Sequence, residues 1–129
     1  MSERPWLVSI VELGGYPDFS GLYREAGFEV AQERNFRKAI GLVKKKRPRV
    51  VVAEFNYQTD FRDRTSNLET LMAVVQRMPD TRVIVFLEKE QEGPFERVRS
   101  RFPIHAALHF PIDETELRKA LESAVEETA

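Results

Sequence analysis

Four short apolar segments recur along the chain and are rich in valine and isoleucine: residues 7–11, 50–53, 83–87 and 106–110. They lack the strict alternation of apolar and polar positions that marks a strand with one face in water. Continuous apolar runs of this length are typical of strands covered by helices on both faces. A weaker segment, residues 28–32, does alternate, and it predicts a strand at the edge of the same sheet.

Between these segments the apolar residues recur at the spacing of a helix. Phe36, Ile40 and Val43 fall at i, i+4 and i+7, and a basic run at residues 44–47 ends this helix before Pro48. The same pattern predicts three further helices, around residues 68–75, 95–102 and 117–124. A short first helix is predicted after Asp18, and it ends at Gly27.

Residues suited to helix starts precede three of these segments. Ser66 and Glu69 have the spacing of a capping box, and Asp113 with Glu116 form a similar pair before the last helix. Pro94 suits the first turn of the helix that contains residues 95–102, because its missing N–H is not needed there.

The predicted order is strand then helix, repeated five times. Parallel neighbouring strands require a helix-length connection, so this order predicts a doubly wound α/β domain of three layers, α/β/α. Five strands in 129 residues favour the flavodoxin-like order 2-1-3-4-5, with residues 1–129 forming a single domain.

Composition excludes several classes of protein. The chain has 20 Lys and Arg against 21 Asp and Glu, and it has no cysteine. The absence of cysteine excludes disulfide scaffolds, cysteine zinc sites, thiol nucleophiles and iron–sulfur clusters. A net charge of −1 removes the usual electrostatic reason to expect nucleic acid as a partner. No apolar stretch is long enough to span a bilayer, so we expect a cytoplasmic protein without a membrane partner.

Three segments together resemble the receiver domain of bacterial response regulators, a domain of the chemotaxis-protein fold. Residues 26–30 resemble the turn into the second receiver strand, and residues 47–54 resemble the approach to the phospho-acceptor. Residues 110–112 resemble the Lys-Pro corner after strand five. The likeness runs over nearly the whole chain.

The resemblance also assigns positions to the phosphorylation pocket. Receivers use an aspartate after strand three, an acidic pair that holds Mg²⁺, a Thr or Ser after strand four and a Lys before the strand-five Pro. The corresponding residues here are Glu54, an acidic position around Glu12 and Leu13, Leu87 and Phe110. Neither Leu87 nor Phe110 can bind a phosphoryl oxygen. The resemblance therefore implies a degenerate receiver, or pseudo-receiver, with no catalytic activity and no cofactor.

Glu54 has two interpretations at this level. Its carboxylate could mimic a phosphorylated aspartate, or it could be a solvated strand-end group left after the pocket lost its use. We favour the second, because no Lys or Thr partner remains. Glu12 and Glu54 are also weak candidates for a divalent cation, but two carboxylates alone make a poor site, and we expect no bound metal.

Two other features are weaker candidates for a functional site. His105 and His109 are four residues apart on a predicted strand and are expected to share a face, but no further ligand accompanies them, so structural roles are favoured over metal binding. The basic cluster at residues 44–49 lies at a helix C-terminus, where the helix dipole favours cations. A solvated helix end is therefore favoured over a nucleic-acid patch.

These observations predict a phosphorylation-independent protein-interaction module in bacterial signal transduction. Because the sequence ends directly after its fifth helix, we expect it to act through a protein partner, by self-association or as part of a longer protein. The alternative is a small flavodoxin-like ligand-binding protein or enzyme with a site at the carboxyl ends of the strands.

Two groups of residues are the candidates for partner binding. Tyr57 and Phe61 lie in the long loop at residues 56–66. Three arginines of the fourth helix could pair with glutamates of the fifth helix in a weak homodimer: Arg97, Arg99 and Arg101, with Glu114, Glu116, Glu122, Glu126 and Glu127.

Overall fold

The computed structural model describes residues 4–11, 18–55 and 67–128 of the chain. These residues contain one sheet of five parallel strands in the order 2-1-3-4-5, which confirms the predicted topology and the edge position of the alternating strand. The strands are β1 (Trp6–Ile10), β2 (Glu29–Glu33), β3 (Val50–Glu54), β4 (Arg82–Leu87) and β5 (Ala106–His109).

A helix follows every strand, as the alternating pattern predicts. The helices are α1 (Ser20–Glu25), α2 (Phe36–Lys46), α3 (Asn67–Val75), α4 (Glu92–Arg101) and α5 (Glu114–Thr128), and a short 3₁₀ turn (Lys89–Gln91) precedes α4. Among the described residues, no helix is both long and apolar enough to cross a bilayer.

The sheet separates two apolar clusters, and this separation explains why its strands lack alternation. Val51 and Val83 face the layer formed by α2, α3 and α4. Their neighbours Val52 and Ile84 face the layer formed by α1 and α5. Since both faces of each central strand are covered, successive side chains are nearly all apolar. All five residues of β3 are buried, including its last residue, Glu54.

Side chains that precede two of the helices accept hydrogen bonds from backbone N–H groups in the first helical turn. The Asn35 side chain accepts a hydrogen bond of 3.0 Å from the Lys38 N–H at the start of α2. Asp113 Oδ1 accepts from the N–H groups of Thr115 and Glu116 before α5. Pro94 lies in the first turn of α4, as predicted. The Ser66 half of the predicted capping box lies outside the described residues.

Two residues end helices in the left-handed region of backbone conformation. Gly27 has φ of 100°, which glycine adopts without steric cost. Arg47 has φ of 47° at the end of α2, where its Cβ is crowded by the backbone.

We therefore predict opposite effects for substitutions at these two helix ends. Arg47→Gly should raise the free energy of unfolding by about 0.5–1 kcal/mol, because relief of the left-handed conformation exceeds the entropic cost of glycine. Gly27→Ala should lower it by about 1 kcal/mol, because alanine is strained at this φ. Urea denaturation measures both values, and an Arg47→Ala variant controls for loss of the side chain. Equal stability of the Gly and Ala variants at position 47 would contradict the prediction.

Candidate functional site

The carboxyl ends of β3, β4 and β5 bring three of the sequence-predicted positions to one edge of the sheet. Glu54 ends β3 and lies level with Phe86, while Leu87 ends β4 and lies level with His109. The Phe110 N–H donates a 3.0 Å hydrogen bond to the Leu87 carbonyl, which joins the turn after β5 to the end of β4. The fourth predicted position, Glu12, lies outside the described residues, as do Tyr57 and Phe61.

Leu87 is part of the hydrophobic core. Its exposed fraction is 0%, and it belongs to the apolar cluster beneath α2, α3 and α4. In the same cluster, the rings of Phe55 and Phe95 meet edge to face with their centroids 5.5 Å apart. Packing therefore extends to the last residue of β4, and this position presents hydrocarbon where a receiver would present a hydroxyl.

Glu54 is buried, so the expectation of a solvated carboxylate is wrong. Its exposed fraction is 6%, and the adjacent residues Ala53 and Phe55 are exposed by only 4% and 1%. The core continues past the end of β3 through Phe55, which belongs to the apolar cluster beneath α2, α3 and α4. A carboxylate at this depth requires hydrogen-bonding or charged partners to remain ionised.

Phe110 occupies the position at which the resemblance expects a lysine. Its side chain is 47% exposed, and its peptide bond to Pro111 is cis. An aromatic ring supplies no cation to neutralise a phosphoryl group. The end of β5 therefore offers an exposed apolar surface.

The two histidines contact different helices, so the expectation that they share a face is wrong. His105 precedes β5, and its Nε2 lies 2.8 Å from Ser123 Oγ and 3.2 Å from the Ala120 carbonyl, both in α5. His109 ends β5, and its Nε2 lies 2.6 Å from the Glu92 carboxylate at the start of α4. The alternation of a strand does not apply to His105, because the strand begins after it.

No group of three or more His, Asp or Glu residues close enough to hold a metal ion occurs in the described parts of the chain. Two cavities bounded by described residues lie away from the carboxyl ends of the strands. One, of about 510 Å³, lies near the amino ends of β4 and β5 and is lined by Met72, Met78, Arg82 and Ile104 among others. Another, of about 430 Å³, lies between α1 and α5, where Arg118 pairs with Glu25 at 2.8 Å.

Comparison with known proteins identifies the fold. No family model and no curated protein matches the sequence. Among solved structures, a response-regulator receiver domain from Clostridium thermocellum is 13% identical with a TM-score of 0.75, and the match covers 95% of each chain. The signal receiver domain of a Luxo repressor protein from Vibrio parahaemolyticus is 13% identical with a TM-score of 0.72, covering 98% of this chain and 93% of that one.

A further match is NtrX from Brucella abortus, in complex with ATP. It is 15% identical with a TM-score of 0.76, and the match covers 98% of this chain and 28% of the NtrX chain. The fold is therefore that of a response-regulator receiver domain, and at these identities the likeness concerns the fold alone.

The burial of a side chain at the site predicts how much its substitution lowers the free energy of unfolding. Leu87→Ala should lower the free energy of unfolding by about 2–4 kcal/mol, because it removes a fully buried side chain and leaves a cavity. Phe110→Ala, the matched control at the neighbouring strand end, should cost less than about 1.5 kcal/mol, because half of that ring already lies in water. Urea denaturation of both variants measures the difference. Equal decreases in the free energy of unfolding for the two variants would contradict the burial of Leu87 in the core.

Proposed function

We propose that the protein is a phosphorylation-independent, receiver-like protein-interaction module of bacterial signal transduction. The observation that carries this proposal is the complete burial of Leu87 at the position where receivers hold a Thr or Ser. A receiver changes its surface when a hydroxyl at this position binds a new phosphoryl oxygen. A leucine fixed in the core makes no such bond, so its position does not depend on phosphorylation.

The chemistry of phosphoryl transfer supports the same conclusion. The transferred group carries charge on three oxygens, and catalysis consists of positioning and of electrostatic stabilisation by cations and hydrogen-bond donors. Leu87 supplies no donor, and Phe110 supplies no cation. Glu54 is a longer carboxylate than the usual aspartate, and it is buried. We propose that Glu54 is a remnant of the acceptor position and not a mimic of phosphoaspartate, because the side chains of Leu87 and Phe110 cannot respond to a phosphoryl group there.

The first test is direct phosphorylation. Incubation with acetyl phosphate and Mg²⁺ should add no phosphoryl group, and intact-mass spectrometry would detect an added group. A receiver domain with an intact aspartate, treated in parallel, shows that the reagent is active. A stoichiometric adduct on Glu54 that disappears in Glu54→Gln would overturn the proposal.

The alternative, a ligand-binding protein or enzyme with its site at the carboxyl ends of the strands, has less support. Leu87 and Phe110 are unsuited to activating a substrate, because neither side chain supplies a nucleophile, a proton donor or a cation. Partner binding by Tyr57 and Phe61, in the loop outside the described residues, stays a prediction from the sequence.

We also propose that the protein self-associates weakly through α4 and α5. Arg101 lies 3.4 Å from Glu69 of α3, and Arg99 lies 3.8 Å from Glu96 within α4, so both already have carboxylate partners. Arg97 has no ion pair among the described residues. Exposed pairs contribute only about 0–1 kcal/mol each, so a dimer built on these arginines would be weak and sensitive to salt.

We expect sedimentation at low ionic strength to show a weak monomer–dimer equilibrium that shifts to monomer in 0.5 M NaCl, where the Debye length is about half its value at physiological salt. Arg97→Glu with Arg101→Glu should abolish the dimer, and reversing Arg77, at the end of α3, should leave it unchanged. A monomer at high concentration and low salt would reject the interface, as would a dimer insensitive to the α4 reversals.

A further inference from the structure

Positive charge is concentrated on one helix of the domain. Within residues 34–49 there is no acidic residue, so all 21 Asp and Glu of the chain lie outside this segment. The segment contains eight of the chain's 20 basic residues: Arg34, Arg37, Lys38, Lys44, Lys45, Lys46, Arg47 and Arg49. Most of it is helix α2.

The geometry of α2 places four of these cations on one exposed face. Ala39 and Val43 are buried on the opposite face, against the sheet. The exposed positions recur at the spacing of a single helix face, and Arg37 and Lys44 are about 10 Å apart along the axis at 1.5 Å per residue. We call this surface the α2 cationic face; it consists of Arg37, Lys38, Gly41, Lys44 and Lys45.

The charges of this face have no partners in the described parts of the chain. No ion pair joins its four basic side chains to a carboxylate there. Two neighbouring cations differ in this respect: Lys46 lies over the Trp6 ring at 4.2 Å, and Arg49 donates to the Val125 carbonyl at 3.2 Å. The α2 cationic face is therefore available to an external anion.

The helix dipole accounts for only part of this distribution. Cations near a helix C-terminus are stabilised by the dipole, which explains the lysines of the last turn. Arg37 and Lys38 lie in the first turn, where the dipole disfavours cations, and α2 has no acidic residue in that turn. Stability of the isolated helix therefore does not explain their placement.

Gly41 lies in the middle of the same face and is exposed. A Cβ built at this position meets no atom within 4 Å, and its φ is not positive. Neither internal packing nor backbone conformation requires glycine here, and glycine in a helix lowers its stability. The absence of a side chain leaves the helix backbone open to close approach between the cations.

We propose that the α2 cationic face docks an acidic segment of a partner protein, with carboxylates paired to the basic side chains and the partner's backbone against Gly41. This inference rests on the proposed function as a protein-interaction module. Nucleic acids and anionic bilayers are less suited as occupants, since both extend beyond a face one helix wide. There they would meet the rest of the surface, on which the exposed acidic residues of a chain with net charge −1 lie.

The test uses a synthetic Ala-rich helical peptide with Glu at positions i, i+3, i+4 and i+7, and a matched peptide with Gln at the same positions. Fluorescence anisotropy should show salt-sensitive binding of the Glu peptide and none of the Gln peptide. Arg37→Gln with Lys44→Gln should weaken binding about tenfold, since two pairs of up to about 0.7 kcal/mol each are lost. Arg77→Gln with Lys119→Gln, two exposed cations outside this face, should leave it unchanged.

Gly41→Gln separates docking from folding. Glutamine is a better helix former, so the variant should melt at the same or a higher temperature, yet it should weaken binding of the Glu peptide severalfold.

Equal binding of the two peptides would overturn the inference, as would tighter binding of duplex DNA or phosphatidylserine vesicles. If acetyl phosphate phosphorylates the protein and the Glu peptide also binds, the proposed function is rejected and the docking role of the α2 cationic face is retained. If the protein is not phosphorylated and the Glu peptide does not bind, only the docking role of the face is rejected.

Discussion

Coverage of the sheet on both faces is the constraint on which the rest of the structure depends. In a parallel sheet every central strand lies between two helical layers, so each of its side chains must be accommodated in an apolar environment. Leu7 and Val8 of β1 show the result, since they are adjacent in sequence and both fully buried, on opposite faces. Because both faces are covered, ligands reach such a sheet at the ends of its strands, and receiver domains place their chemistry at the carboxyl ends.

At those ends the core of this protein extends to the last residue of β4 and past the end of β3. Leu87 is fully buried at the last position of β4, and Phe55 continues the core beyond β3. A hydroxyl at position 87 would lie among hydrocarbon groups, and a phosphoryl group near Glu54 would find neither a cation at position 110 nor a donor at position 87. The same packing that stabilises the strand ends therefore accounts for the proposed independence from phosphorylation.

The sequence predicts most of the fold, because burial on both faces leaves a strong local signal. The run at residues 50–53 predicts β3 to within one residue, and the alternating segment at residues 28–32 places β2 at the edge. The burial of Glu54 was missed because a charged residue at a strand end normally lies in water. The only local signal was the apolar Phe55 directly after it. The separation of His105 from His109 depends on where β5 begins, which periodicity does not fix.

Binding of a phosphoryl mimic tests the central claim most directly. Beryllofluoride with Mg²⁺ occupies an intact receiver pocket without requiring transfer, so it reports on the pocket independently of reaction rate. In ¹H–¹⁵N spectra of the labelled protein, we predict no saturable shift of the amides of Phe55, Glu88 and Phe110 on addition of beryllofluoride and Mg²⁺. Saturable shifts at these three strand ends, absent with Mg²⁺ alone and absent in Glu54→Gln, would contradict the account.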